Sequence, residues 1–121
     1  MLIVIRSFLI LYGVIAVGTG YLAMTNPYDA TVDPMVDNSH RFIAAIWASM
    51  ALAFFYCVWH PSEVVLFRFL MLSLFIGGVV RAASLINYSP TPAIIAVILL
   101  ELLPTPLLWW MHSRLLESGS F

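Results

Sequence analysis

Four apolar runs, each about as long as a helix that crosses a bilayer, leave this chain almost no other choice of fold. A helix rises about 1.5 Å per residue, so roughly 20 apolar residues cover the hydrocarbon core. The runs extend over about Leu2–Met24, Phe42–Trp59, Val64–Ile86 and Pro92–Met111. The joins between them are too short to hold a soluble domain. Of the 121 residues, 63% are hydrophobic and only 9% are charged. A soluble domain is roughly half apolar and a quarter charged. None of the runs shows the two-residue alternation of barrel strands. The expectation is an all-α chain, a bundle of four transmembrane helices forming a single integral membrane domain over residues 1–121.

The first run also has the outline of a signal peptide, with Arg6 ahead of apolar residues and Tyr21-Leu22-Ala23 near its end. It is longer than the apolar segment of such a peptide, so it is read as a span. The basic residues, five in all, are arginines. Arg6, Arg68 and Arg114 fall at one side of the membrane, and only Arg41 at the other, beside Asp29, Asp33 and Asp37. By the positive-inside rule both termini lie inside. Trp59, Trp109 and Trp110 then form the inner aromatic belt, and Tyr28 and Tyr88 the outer. A net charge of -1 gives no basic face for nucleic acid. The single cysteine, Cys57, excludes an internal disulfide.

The longest join, Thr25 to Arg41, is the external loop between the first two helices, and Asn26-Pro27 and Asp33-Pro34 read as turns in it. Asp37 or Asn38 is the expected cap of the second span. His60 to Glu63 is a tight internal turn. Ser89 to Pro92 turns the chain outside, with Pro92 suited to the first turn of the fourth helix. Small residues mark where helices approach: Gly13, Ala16 and Gly20, then Ala45, Ser49 and Ala53, then Gly77, Gly78, Ala82 and Ala83.

Residues that are costly to keep in lipid carry the most information. Arg81 lies about 9 Å below the outer end of its helix and Glu101 about 13–14 Å below the outer end of its own. A long arginine bridges that difference in depth, so the two are expected to pair. The pair is either functional, as a polar pocket for a ligand headgroup or a proton-linked gate, or structural, as a lock on helix register. Arg41 shares a face with Ala45 and Ser49, and either turns inward toward Glu101 or answers Asp37 and Asn38. Ser84 is close enough along the helix to offer a hydroxyl to the Arg81 cluster. Pro104 and Pro106 lie within the fourth helix about one turn after Glu101, where a kink either opens a polar cavity beside Glu101 or shapes the bundle. The three aspartates of the loop lack the spacing of a calcium loop. His40 falls outside and His60 and His112 inside, so the three cannot share a metal. No catalytic residue, metal site or cofactor is singled out.

Asp37-Asn38 with Arg41-Phe42, Gly77-Gly78 ahead of Arg81 and Ser84, and Leu100-Glu101-Leu102 together resemble a bacterial family of small four-span membrane proteins, a domain of unknown function (DUF4345). The resemblance covers nearly the whole chain and implies no reaction. It directs attention to Asn38, Arg41, Arg81 and Glu101, and implies a bacterial inner-membrane location. Small multidrug transporters are similar in size but keep their essential glutamate in the first span, where this chain has no acidic residue. The functional expectation is a non-enzymatic accessory or interaction protein of the lipid bilayer, with a membrane-protein partner. The alternative is a binder or transporter of a small molecule or lipid through an outward-facing pocket at Arg81 and Glu101.

Overall fold

The computed structural model describes residues 1–26 and 31–121. The expectations for Pro27, Tyr28 and Asp29 lie outside the described residues. Five helices follow one another among the described residues: α1 (Leu2–Thr25), α2 (Pro34–Trp59), α3 (Val64–Ser84), α4 (Pro92–Leu102) and α5 (Pro104–Ser118). No strand occurs among the described residues.

The helix ends differ from expectation in three places, each for a local reason. First, α2 begins at Pro34 rather than near Phe42. The Asp33 carboxylate accepts a hydrogen bond from the Met35 amide at 2.8 Å. Pro34, which has no N–H to satisfy, takes the first helical position. The Asp33-Pro34 pair is thus a helix start and not a loop turn, and Asp37 and Asn38 lie inside the helix rather than capping it. Second, α3 ends at Ser84, two residues before Ile86. The amides of Leu85, Ile86 and Asn87 bond to carbonyls three residues back, in a tightened final turn.

Third, the fourth run is divided. Pro104 has no N–H for the Leu100 carbonyl, so helical hydrogen bonding is interrupted between α4 and α5. Leu103 stays in the right-handed helical region (φ -83°, ψ -51°). Beyond Met111, α5 continues to Ser118, and Gly119 ends it at φ 66°. The Gly119 and Ser120 amides return to the carbonyls of Leu116 and Leu115. Only glycine takes that left-handed conformation without strain. At the other end, Thr91 caps α4 by accepting from the Ile94 amide, with Pro92 next in line as expected.

Counting Pro92–Ser118 as one span, four helices among the described residues are long and apolar enough to cross a membrane. Within their apolar windows only 22–28% of residues are buried. Ile3, Leu52, Val65 and Ile86 are each more than three-quarters exposed. Water would penalise so much open apolar surface, and lipid does not. This is the surface of a multi-pass membrane protein.

The chain divides into two compact units, one of residues Arg6–His60 and one of Met1–Ile5 with Pro61–Phe121. In the first, glycines let α1 and α2 meet. A Cβ on Gly20 would lie 2.7 Å from the Ala48 Cβ and 2.9 Å from the Ala44 carbonyl oxygen, and one on Gly13 would lie 2.5 Å from the Phe55 ring. Nearby, Trp47 Nε1 donates to Thr19 Oγ1 at 2.8 Å. The buried face of α2 is Ala44, Ala51, Phe54 and Cys57. The expected stripe of Ala45, Ser49 and Ala53 is turned from that face, and exposed Ser49 donates to its own helix at Ala45. In the second unit α3 packs on α4 and α5 around buried Phe67, Leu70, Met71 and Leu108. His112 is also buried there, stacked on Phe67 at 4.0 Å, with its Nε2 donating to the Pro61 carbonyl at 2.7 Å.

Candidate functional site

The connection from α3 to α4 folds Arg81, in the last turn of α3, back toward Glu101, near the end of α4. Glycine then sets the helix separation. A Cβ on Gly78 would lie 2.9 Å from the Leu102 side chain and 3.0 Å from the Glu101 Cβ, so α4 approaches closer than any larger residue permits. Arg81 Nε donates to Glu101 Oε1 at 3.1 Å, and the expected pairing is present.

The two partners differ in exposure. The Glu101 side chain is 11% exposed and that of Arg81 56%. The contact is single rather than forked: Nε meets Oε1, and no described group meets Nη1 or Nη2. Glu101 Oε2 is buried without a hydrogen-bond partner. A Cβ on Gly77 would be 3.6 Å from that oxygen, so even alanine would close part of the space beside it. Thr105 Oγ1 donates to the Glu101 carbonyl at 2.7 Å. That bond braces the backbone where Pro104 interrupts it.

The other predicted residues have local partners. Ser84 Oγ donates to the Arg81 carbonyl at 2.6 Å and accepts from the Tyr88 hydroxyl at 2.9 Å, so it secures the end of α3 rather than the guanidinium. In the unit formed by Arg6–His60, Arg41 takes the second of its two expected roles. Its Nε donates to Asp37 Oδ2 at 3.0 Å and its Nη1 to the Met24 carbonyl at 2.7 Å. That carbonyl is one of the four that a helix end leaves open. Asn38 is exposed.

Two features of α3 and α5 escaped the sequence reading. The guanidinium of Arg68 lies 5.2 Å from the centre of the Trp109 ring, in a cation–π contact. Beside it runs a groove of about 320 Å³ lined by Met71, Leu72, Phe75, Thr105, Pro106 and Trp109. The spacing Arg68, Met71, Leu72, Phe75 carried the signal, since i, i+3, i+4 and i+7 share one helical face. Counting Arg68 only as an orienting charge hid it. Chemically, the Arg81–Glu101 pair retains open donors on the guanidinium and an open acceptor on Oε2, a combination suited to holding an anion and a donor side by side.

Fold and site together define an all-α, multi-pass membrane protein with an ion pair joining two of its helices. The chain belongs to the family of the domain of unknown function DUF4345, whose model matches residues 4–112. Neither the curated proteins nor the solved structures provide a match.

Proposed function

We propose that this protein performs no chemistry of its own and serves as a small accessory or interaction protein of a bacterial inner membrane. Both termini face the cytoplasm, and its neighbours are the bilayer and a membrane-protein partner. In this reading the Arg81–Glu101 pair fixes the register of α3 against α4. The observation that supports it is placement: the pair lies one turn from Gly78, where the two helices pack closely against Leu102. A buried carboxylate there penalises any register that removes it from its arginine. The test is a double-mutant cycle in detergent, read by thermal unfolding. Arg81→Gln and Glu101→Gln should each destabilise the protein, and the double variant should lose far less than their sum. Additive losses would refute a lock.

A second reading has its own support. Glu101 Oε2 lacks a donor and the Nη groups of Arg81 have no described acceptor. A small molecule or lipid headgroup bearing both an anionic and a donor group satisfies both atoms. Native mass spectrometry of the purified chain should then show a retained species that Arg81→Ala removes. If the protein is bare at every detergent concentration, this reading fails.

A further inference from the structure

We infer that the groove between α3 and α5 is a binding site for an anionic phospholipid, with Arg68 on the headgroup phosphate and one acyl chain along the groove. This site is separate from the Arg81–Glu101 pair and does not rest on either reading of it.

Arg68 lies one turn into α3, in an otherwise apolar stretch, and no carboxylate among the described residues pairs with it. Its Nε is buried without an acceptor. A guanidinium in that position would ordinarily be neutralised by an acid, as Arg81 is by Glu101. Here it lies over the face of Trp109 and near the His112 ring, neither of which carries a negative charge. Placement over an aromatic ring holds the guanidinium but leaves its terminal N–H groups to meet a phosphate.

The groove supplies the rest of the ligand. Met71, Leu72 and Phe75 continue the Arg68 face along α3, so the charge lies at one end of an apolar channel. The Trp109 ring both carries Arg68 and lines that channel. Thr105 is the one hydroxyl in the lining, and it is already bonded to the Glu101 carbonyl. Pro106, which lacks an N–H, adds no donor. A polar solute therefore gains little from the wall, whereas a hydrocarbon chain fits it. An anion at one end and an aliphatic chain along the remainder describes a phospholipid carrying net negative charge. The position of Arg68, one turn from the helix start, places the phosphate at headgroup depth.

The test uses the full chain purified in a mild detergent and titrated with phosphatidylglycerol or phosphatidylcholine of matched acyl chains, with bound lipid counted by native mass spectrometry. Phosphatidylglycerol should be retained at least ten-fold better. Arg68→Gln should reduce that preference to within two-fold, Arg68→Lys should keep most of it, and Arg81→Gln should leave it intact. Leu72→Trp, which fills the groove without touching the charge, should weaken both lipids by a similar factor. Inorganic phosphate at millimolar concentration should not displace the lipid. Equal retention of the two lipids by the unaltered protein would overturn the inference. So would an unchanged preference in Arg68→Gln, unaltered binding in Leu72→Trp, or displacement by phosphate alone. If Arg68→Gln does not fold, Leu72→Trp and the phosphate competition still decide the matter.

Discussion

Arg41 and Arg81 hold their carboxylates through the same atom at almost the same distance, 3.0 Å and 3.1 Å, yet the two pairs do different work. Arg41 and Asp37 are one helical turn apart, and both side chains are about one-third exposed, at 37% and 30%. The helix alone brings them together, and water screens what they gain. Arg81 and Glu101 are 20 residues apart on different helices, and the carboxylate is 11% exposed. The helices must already be packed for that pair to exist. The local pair aims a side chain, since it holds Arg41 where its Nη1 reaches the Met24 carbonyl. The distant pair selects an arrangement of helices. Geometry at the contact does not distinguish them; burial and sequence separation do.

The largest effect that tests this contrast comes from removing the arginine and leaving the buried acid. Arg81→Gln should destabilise the protein by about 3 kcal/mol, the lower end of what a broken buried pair costs, because Arg81 itself is half open to its surroundings. Glu101→Gln should cost less, since the arginine left behind can extend toward the headgroups. Thermal unfolding of the two variants in one detergent gives both values. Equal losses, or a larger loss for Glu101→Gln, would mean that burial of the carboxylate does not dominate.

Next come the glycines that bring α1 and α2 together. Gly20→Ala places a methyl 2.7 Å from the Ala48 Cβ and 2.9 Å from a backbone oxygen, neither of which can swing aside. A loss of about 1–3 kcal/mol is expected, as for other overpacked contacts. Gly18 has nothing within 4 Å of its added methyl. Gly18→Ala should instead gain up to about 1 kcal/mol by lowering the entropy that glycine loses in a helix. Opposite signs at two positions on one helix separate packing from propensity. If both variants shift the same way, close approach is not what selects glycine at position 20.

Much of this was legible in the sequence, and what was missed has a common cause. The four apolar runs, the pairing of Arg81 with Glu101 and the role of Pro92 all follow from length, cost and backbone chemistry. The face of α2 that packs did not follow, because Ala44 and Ala48 alternate with Ala45 and Ser49, and small residues ring that stretch on several sides. Periodicity cannot choose among faces that look alike. Asp33-Pro34 was ambiguous for a similar reason, since the same two residues open a turn or a helix depending on what comes next. The division at Leu103 was anticipated only as a kink. Arg68 was visible but explained too early, because one role for a charge near a membrane edge does not exclude another.

The start of α2 provides a smaller test of what is local. Asp33→Ala removes the oxygen that accepts from the Met35 amide and should cost about 1 kcal/mol, the ordinary worth of a cap. Circular dichroism and thermal unfolding should show a slightly lower midpoint with helix content nearly unchanged. A large loss of helix would mean that residues 34–41 depend on the cap for folding, contrary to a purely local role.

The smallest effect belongs to the pair that opened the comparison. Asp37→Asn leaves an oxygen for Arg41 Nε but removes the charge, so the expected loss is about 0.5 kcal/mol, typical of a solvent-screened pair one turn apart. Asp37 also lies in the first turn of α2, where a negative charge opposes the helix dipole favourably by a few tenths of a kcal/mol. Both contributions are screened by salt. Repeating the unfolding measurement at about 1 M salt, where the screening length falls to roughly 3 Å, should therefore reduce the Asp37→Asn loss to near zero. The Arg81→Gln loss should change little, because most of it comes from a carboxylate held away from solvent. If salt erased both losses equally, the two ion pairs would be the same kind of contact after all, and the role assigned to Arg81–Glu101 would have to be given up.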